Sequence, residues 1–151
     1  MQSSTHLIFG TILALILFIL FPQIQMIGFL IIILASVLID IDHYIYYVYK
    51  KRNLSLHRAY RWFIQKKRKL QPLTKKQRTE FYTGFSFLHG IEILLITFIL
   101  GVYISEYFYY VLIGFTFHIL LDYIHQITWH NRLDKISLIY DFFKFKKLRY
   151  V

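Results

Sequence analysis

The sequence contains no cysteine, which excludes disulfide bonds, thiolate nucleophiles and cysteine-ligated zinc or iron–sulfur sites. Two prolines and six glycines in 151 residues are too few for a collagen-like, low-complexity or linker protein. Acidic residues are also scarce, because 8 Asp and Glu stand against 18 Lys and Arg, and the formal net charge is +10. Such a balance favours a partner with negative charge, either nucleic acid or a membrane containing anionic lipid.

Lysine and arginine are absent from four long apolar stretches. The stretches form two pairs, each joined by a short turn: 7–21 with 26–39, and 85–104 with 107–121. Ile12–Phe21 and Ile27–Leu38 are apolar all round, which is typical of a membrane span or of the centre of a large protein. A chain of this length cannot enclose four such helices. We therefore predict two transmembrane hairpins, whose helices are short for a span of roughly 17–25 residues.

The positions of the basic residues predict the orientation of these helices. Twelve Lys and Arg lie in 41–84 and six follow Asp122, whereas the two hairpin turns contain none. By the positive-inside rule, both termini and the loop between the hairpins face the cytoplasm of a multi-pass protein in the cell membrane. The predicted fold is all-α, a single integral-membrane domain over 1–151 with a bundle of four short transmembrane helices. Its parts are a first hairpin, a basic cytoplasmic loop, a second hairpin and a basic cytoplasmic tail: 6–40, 41–84, 85–126 and 127–151.

The basic loop predicts one amphipathic helix at the level of the lipid headgroups. Its apolar side chains recur at helical spacing, and its basic side chains occupy the rest of each turn: Leu56, Tyr60, Phe63 and Ile64 against Arg58, Arg61, Lys66 and Lys67. Trp62 is the predicted interfacial anchor. Arg58 and Arg61 are candidates for contact with the headgroup of an anionic phospholipid or lipid-like substrate. The alternative is a solvated basic face that serves only to fix the topology.

Side chains that could bind a metal lie near the predicted cytoplasmic end of every apolar helix. They form four clusters in chain order: His6; Asp40, Asp42 and His43; His89 and Glu92; His118, Asp122 and His125. The last three share one helix face because they are spaced i, i+4 and i+7. Ionisable groups at membrane depth are costly and tend to face the interior of a bundle and to pair there. We therefore predict one recessed metal-binding pocket, although each cluster alone could be a helix cap, an interfacial residue or a hydrogen-bonded pair.

These motifs, in this order, resemble the membrane-bound metal-dependent hydrolase family, whose bacterial members include LexA-binding inner-membrane hydrolases. The matching pieces cover nearly the whole chain and are individually short: Thr5-His6-Leu7-Ile8-Phe9-Gly10, Ile39-Asp40-Ile41-Asp42-His43, Phe87-Leu88-His89-Gly90 and Gly114-Phe115-Thr116-Phe117-His118-Ile119-Leu120-Leu121-Asp122. The family is distantly similar to zinc-dependent phospholipase C, an all-α protein with His and Asp ligands around a metal cluster. The resemblance therefore implies a ligand set of His6, Asp40, His43, His89, His118 and Asp122, with His125 as a further candidate.

Two departures from the family pattern affect the expected number of metal ions. Ile39 stands where the family often has proline before its Asp-x-Asp-His motif, and Glu92 stands where many members have a second histidine. The expectation is one to three divalent ions per chain. Imidazole and carboxylate ligands without thiolate favour zinc, with manganese or iron as alternatives.

The sequence thus predicts a metal-dependent hydrolase that uses metal-activated water to cleave a phosphoester of a phospholipid or lipid-linked substrate at the cytoplasmic leaflet. Glu92 or Asp42, whichever is not a ligand, is the candidate general base. One alternative is a small non-catalytic membrane protein with a structural polar or metal cluster. Another is a membrane-tethered protein that binds nucleic acid or a regulator, which is less favoured because basic runs beside membrane spans usually contact lipid headgroups.

Overall fold

The computed structural model describes residues 3–82, 84, 86–130, 133, 136–145 and 149–150. The regular secondary structure of these residues is helical apart from one minimal strand pair, so the predicted all-α class is confirmed. The helices are α1 Ser3–Leu20, α2 Met26–Leu38, α3 Ile41–Lys51, α4 Leu56–Leu70, α5 Lys75–Arg78, α6 Ile91–Tyr103, α7 Tyr107–His130 and α8 Leu138–Phe145. Two strands of two residues each, β1 Phe81–Tyr82 and β2 Arg149–Tyr150, pair in parallel, with Phe81 opposite Arg149 and Tyr82 opposite Tyr150.

The chain divides into two compact units. Unit 1 consists of Met1–Asp40 and Ile91–His125, and it contains α1, α2, α6 and most of α7. Unit 2 consists of Ile41–Gly90 and Gln126–Val151, and it contains α3, α4, α5, α8, the strand pair and the last residues of α7. Each unit is therefore assembled from two separate segments of the sequence.

In unit 1, α1 and α7 approach α2 closely at two glycines. A Cβ atom on Gly10 of α1 would lie 2.7 Å from Cβ of Ser36. A Cβ atom on Gly114 of α7 would lie 2.7 Å from the carbonyl oxygen of Ile32. Both distances are shorter than real Cβ contacts, so only glycine permits this packing. Because Gly10 follows His6 by one helical turn and Gly114 precedes His118 by one turn, the close approach also positions both histidines.

Two stretches are long and apolar enough to cross a membrane, Met26–Lys51 and Tyr107–Trp129. The apolar helices Ser4–Leu20 and Ile91–Tyr103 are shorter than this criterion allows. By length and composition, two helices rather than the four expected from the sequence therefore qualify as spans among the described residues.

The third apolar helix begins later than predicted, at Ile91 instead of residue 85. Gly84 and residues 86–90 form a non-helical segment, and Phe85 lies outside the described residues. The backbone N–H of Leu88 donates to Oδ2 of Asp42 at 3.0 Å and is thus committed to a side chain instead of a helix carbonyl. Hydropathy alone did not reveal this contact between distant parts of the sequence.

In unit 2, α4 is the predicted basic helix, but its buried face differs from the one expected. Ser55 caps the helix by accepting a hydrogen bond from the N–H of Arg58. The buried residues are Ala59, Lys66 and Leu70, whereas Leu56 and Tyr60 of the predicted apolar stripe are 69% and 63% exposed. The assignment of Lys66 to the solvated face was therefore wrong. Its ammonium group lies 4.0 Å from the ring centroid of Trp62, which compensates in part for its burial.

Candidate metal centre

His118 is fully buried in unit 1 and is held in one orientation by the backbone of α2. Its Nδ1 lies 2.8 Å from the carbonyl oxygen of Ser36. Because a carbonyl only accepts, Nδ1 carries the proton and donates. Nε2 is then directed to two carboxylates, with Oδ1 of Asp40 at 3.5 Å and Oδ2 of Asp122 at 3.9 Å. A histidine whose Nδ1–H is fixed by a backbone carbonyl while Nε2 faces acidic groups has the geometry of a metal ligand.

His6 lies directly against His118. The two imidazole rings are stacked, with centroids 3.7 Å apart and planes inclined by 15°. Nε2 of His6 lies 3.2 Å from Oδ1 of Asp122. The ring is fully buried, yet neither of its nitrogens makes a hydrogen bond to any residue that the structure describes. A buried polar atom without a hydrogen bond costs about 1–3 kcal/mol, so a bound cation would relieve a real penalty here.

The ligand atoms of His6, His118 and Asp122 all lie within 4.8 Å of one another, and all three residues are buried. Asp40 is the other carboxylate near His118, and its side chain is 14% exposed. Two imidazoles and two carboxylates form a donor set of nitrogen and oxygen that suits zinc, manganese or iron. Unit 1 can therefore hold a metal ion in its interior.

A second group of predicted residues comes together within unit 2. Asp42 is fully buried, and its Oδ2 lies 2.8 Å from Nδ1 of His89. The same oxygen accepts the hydrogen bond from Leu88 described above. His43 lies beside this pair, with its ring centroid 5.1 Å from that of His89 and Nδ1 at 3.1 Å from Oγ of Ser86. Asp42 thus fixes the orientation of His89 and the start of the segment that carries it.

The remaining predicted site residues lie outside these two groups. Glu92 is half-buried in the first turn of α6, and His125 is half-buried on α7 one turn after Asp122. Neither belongs to a candidate metal-binding group among the described residues. Arg58 and Arg61 lie on α4 with exposed side chains. Their predicted roles as base, additional ligand and headgroup contacts stay predictions.

Sequence reasoning missed the two serines that support the histidines. Ser36 contributes its carbonyl oxygen to His118, and Ser86 contributes its hydroxyl to His43. Ser36 carried a signal, because it is the one hydroxyl residue in the apolar run Met26–Ile39. A backbone carbonyl as the partner has no sequence signature, so this contact was visible only in the structure.

Comparison of the chain with protein-family models, with curated proteins and with solved structures finds no match.

Proposed function

We propose that the chain is a multi-pass membrane protein that binds a divalent metal ion at His6, His118 and Asp122 and hydrolyses a phosphoester of a lipid or lipid-linked substrate at the cytoplasmic leaflet. One observation carries the metal site: stacked, buried imidazoles meet a carboxylate, and the nitrogens of His6 make no hydrogen bond within the described residues. The resemblance to membrane-bound metal-dependent hydrolases belongs to the same proposal and supports the reaction class.

The surface of unit 1 supports a lipid environment for all four apolar helices. Exposed side chains on α1 include Ile12, Ile19 and Leu20 at 48%, 68% and 65%, and α6 exposes Leu95 at 59%. Exposing this much apolar surface to water is unfavourable, by about 25 cal/mol for every Å². Lipid contact removes this cost, and the shorter helices α1 and α6 are accommodated by local thinning of the bilayer. The absence of Lys and Arg from unit 1 is consistent with this placement.

Each residue of the site has a distinct role in the proposed reaction. Bound zinc, manganese or iron would acidify a water molecule and polarise a phosphoryl oxygen. His6, His118 and Asp122 would hold the ion, and the partly exposed Asp40 would complete the ligand set. Glu92 and Asp42 remain the candidates for the group that accepts a proton from water. We prefer Glu92, because Asp42 already makes hydrogen bonds with His89 and Leu88.

The basic residues supply the attraction for an anionic substrate. All eighteen Lys and Arg belong to unit 2, and juxtamembrane cations contribute about 1 kcal/mol each towards anionic lipid. A phosphoester on a lipid is negatively charged and is confined to the membrane surface, so it is a substrate that these basic residues would attract. A cytoplasmic position of unit 2 follows from the positive-inside rule.

The test is metal content and turnover of the full chain purified in detergent. We expect one or more divalent ions per chain by elemental analysis, and cleavage of a chromogenic phosphodiester or of a short-chain phospholipid. His118→Ala and Asp122→Ala should each lose most of the metal and lower turnover by roughly 100-fold or more. His57→Ala is the matched control, since His57 is an exposed histidine on α4 outside both groups. Unchanged metal content in both ligand variants would contradict the proposal.

The burial of the ligands favours a second candidate function, a structural metal site. His6 and His118 are both 0% exposed, and structural zinc sites are closed whereas catalytic ones keep an open position. In that case, removal of the metal with a chelator lowers the melting temperature of the protein, but the metal-loaded protein cleaves no phosphoester. Turnover that requires the metal excludes this candidate.

A further inference from the structure

A cavity of about 320 Å³ lies between α3 and α4 in unit 2, in a region that the metal chemistry does not use. Three of its lining side chains are cationic and two are aromatic: Lys51, Arg58, Arg61, Tyr47 and Trp62. Asn53 and Gln65 add polar amide groups to the wall. This volume is near the lower end of the roughly 300–1,000 Å³ typical of small-molecule sites.

The local sequence builds this cavity by a tight reversal between the two helices. Arg52 adopts a positive φ of 52°, which ends α3 and turns the chain. The side-chain oxygen of Asn53 then accepts a hydrogen bond from the N–H of Ser55 at 2.9 Å. The hydroxyl of Tyr44 donates to the carbonyl oxygen of Leu54 at 2.6 Å and ties the turn to α3. The reversal places Lys51 at the end of α3 across from the first turns of α4.

The aromatic side chains form the rigid part of the wall. Tyr47 is 4% exposed, and its ring centroid lies 5.6 Å from that of Trp62. The ammonium group of Lys51 lies 5.9 Å from the centroid of Trp62. Arg58 and Arg61 are spaced i, i+3, so they project from the same face of α4. The cations are therefore presented around a packed aromatic surface instead of being scattered over a loop.

The charge of this cavity has no local compensation. The sequence from His43 to Thr79 contains no Asp or Glu, and no carboxylate lines the cavity. Neither Arg58 nor Arg61 makes an ion pair with any residue in the part of the chain that the structure describes. A positively charged concavity whose guanidinium groups make no ion pair with described carboxylates is a site for an anion.

We propose that this cavity binds a phosphate group on a small polar body such as glycerol. Guanidinium forks match phosphate oxygens in a bidentate manner, and a phosphomonoester carries about −1.5 to −2 charges at pH 7, which three cations can balance. The proposal goes beyond the proposed function, because it names a phosphate-binding site outside the candidate metal centre. The binding itself needs no metal. The phosphate could belong to a lipid headgroup or to a soluble compound, and the experiment separates these sources.

The experiment measures binding to the full chain after treatment with a chelator, in neutral detergent for soluble probes and in reconstituted vesicles for lipid probes. Trp129→Phe leaves Trp62 as the single tryptophan, so its fluorescence reports ligand in the cavity. The soluble probes are glycerol 3-phosphate and succinate, and the lipid probes are vesicles of phosphatidylcholine with or without phosphatidic acid. Arg58→Gln combined with Arg61→Gln should weaken phosphate binding by roughly tenfold or more, because two charge-assisted hydrogen bonds are lost. The matched control combines Arg68→Gln with Lys75→Gln, which removes the same charge at exposed positions outside the cavity.

Each outcome decides the proposal. Loss of glycerol 3-phosphate binding in the cavity variant alone supports a site that also takes soluble phosphates. Loss confined to phosphatidic acid vesicles supports a lipid headgroup as the source. Equal weakening in the cavity and control variants overturns the proposal, because it indicates diffuse surface charge. Equally tight binding of succinate overturns the assignment to phosphate. If phosphate binding fails but metal binding and turnover are intact, the proposed function stands. If phosphate binds but no metal-dependent turnover is found, only the proposed hydrolase activity is contradicted.

Discussion

The surfaces of unit 1 and unit 2 differ in charge, although both units bury polar side chains. Unit 1 contains no Lys or Arg, exposes leucine and isoleucine, and buries polar residues that include His6, Ser36, His118 and Asp122. Unit 2 contains all eighteen Lys and Arg, most of its described basic side chains are exposed, and its buried residues include Leu70 but also Asp42, Lys66 and His89. The difference between the two units therefore lies in the charge of their surfaces.

This difference explains why the candidate metal centre lies where it does. In unit 2, the buried polar side chains have specific partners, as Asp42 provides for His89. In unit 1, the apolar surroundings cannot solvate an imidazole, so the polar groups gather with one another. That environment strengthens every electrostatic interaction among these groups. It also raises the free-energy cost of leaving the nitrogens of His6 without a hydrogen bond or a bound cation. The predictions below test this contrast.

The largest expected effect comes from placing a charge on the apolar surface of unit 1. Ile12 lies in the middle of α1 and is 48% exposed. If it faces lipid, Ile12→Lys costs about 3 kcal/mol of membrane insertion, or more than 100-fold in the insertion equilibrium. The measurement is the fraction of the protein that resists alkaline extraction from membranes. Leu54→Lys is the control, because Leu54 is 75% exposed in unit 2 and a charge there should be tolerated. Equal extraction of both variants would mean that the surface of unit 1 does not contact lipid.

The next effect concerns the close helix contact beside the metal ligands. Gly114→Ala pushes a methyl group against the backbone of α2, where the carbonyl oxygen of Ile32 cannot move aside. We expect a loss of about 2 kcal/mol in stability, together with loss of bound metal, since His118 is one turn away. Gly101→Ala is the control, because its nearest neighbour is the ring of Tyr109, which is 36% exposed and can shift. Thermal unfolding in detergent and elemental analysis measure both effects. If Gly114→Ala retained all of its metal, the close helix packing at this glycine would not be what positions the candidate metal site.

Much of the candidate site could be predicted because its residues are conspicuous where they stand. His6 stands directly before an apolar run and His118 lies within one, and the i, i+4 spacing of His118 and Asp122 places both on one helix face. The charge pattern likewise separates the segments that form the two units. These signals are local in the sequence, and they need only helix geometry and the cost of polar groups in an apolar environment.

What escaped prediction depends on contacts between distant segments. The late start of α6 follows from a hydrogen bond between Leu88 and Asp42, which lie 46 positions apart. The burial of Lys66 follows from packing on Trp62 and not from its polarity. The hydrogen bond between Asp42 and His89 also joins distant segments, and periodicity does not reveal it. Pattern analysis assigns a residue to a face but does not identify what covers that face.

A moderate effect is expected when Asp42 is replaced by asparagine. The carboxylate orients His89, which the sequence predicts to be a metal ligand, and it accepts a hydrogen bond from Leu88. If His89 is a ligand, loss of this outer partner lowers metal affinity or activity by roughly 10–100-fold. We expect about a tenfold decrease in turnover for Asp42→Asn with nearly unchanged thermal stability, and recovery of part of the activity in Asp42→Glu. Asp141→Asn is the control, because Asp141 is also a buried carboxylate of unit 2. A fall in stability that equals the fall in turnover would indicate a structural role only.

The smallest effect is a dependence of stability on pH that arises in unit 2. Burial, together with the positive charges of Lys50, Lys51 and Lys69, lowers the pKa of Lys66 from 10.5 to about 8. The unfolded chain therefore binds more protons than the folded chain between about pH 8 and 10.5. Stability must rise with pH across this window, and the penalty for the buried ammonium is fully present below pH 8. Acidic partners do not reverse this sign, because α3 and α4 contain no acidic residue after Asp42.

Comparison of the wild-type protein with Lys66→Met isolates this contribution from the other groups that titrate in the same range. Methionine keeps the contact with Trp62 but carries no charge, so it should raise the melting temperature at pH 7 and leave a smaller gain at pH 9.5. Lys76→Met is the control, because Lys76 is exposed on α5 and should show no such difference between the two pH values. A wild-type melting temperature that falls from pH 7 to pH 9.5 relative to Lys66→Met would mean that the ammonium is stabilising. Unit 2 would then contain a buried cation that its surroundings stabilise, as the polar groups buried in unit 1 stabilise one another.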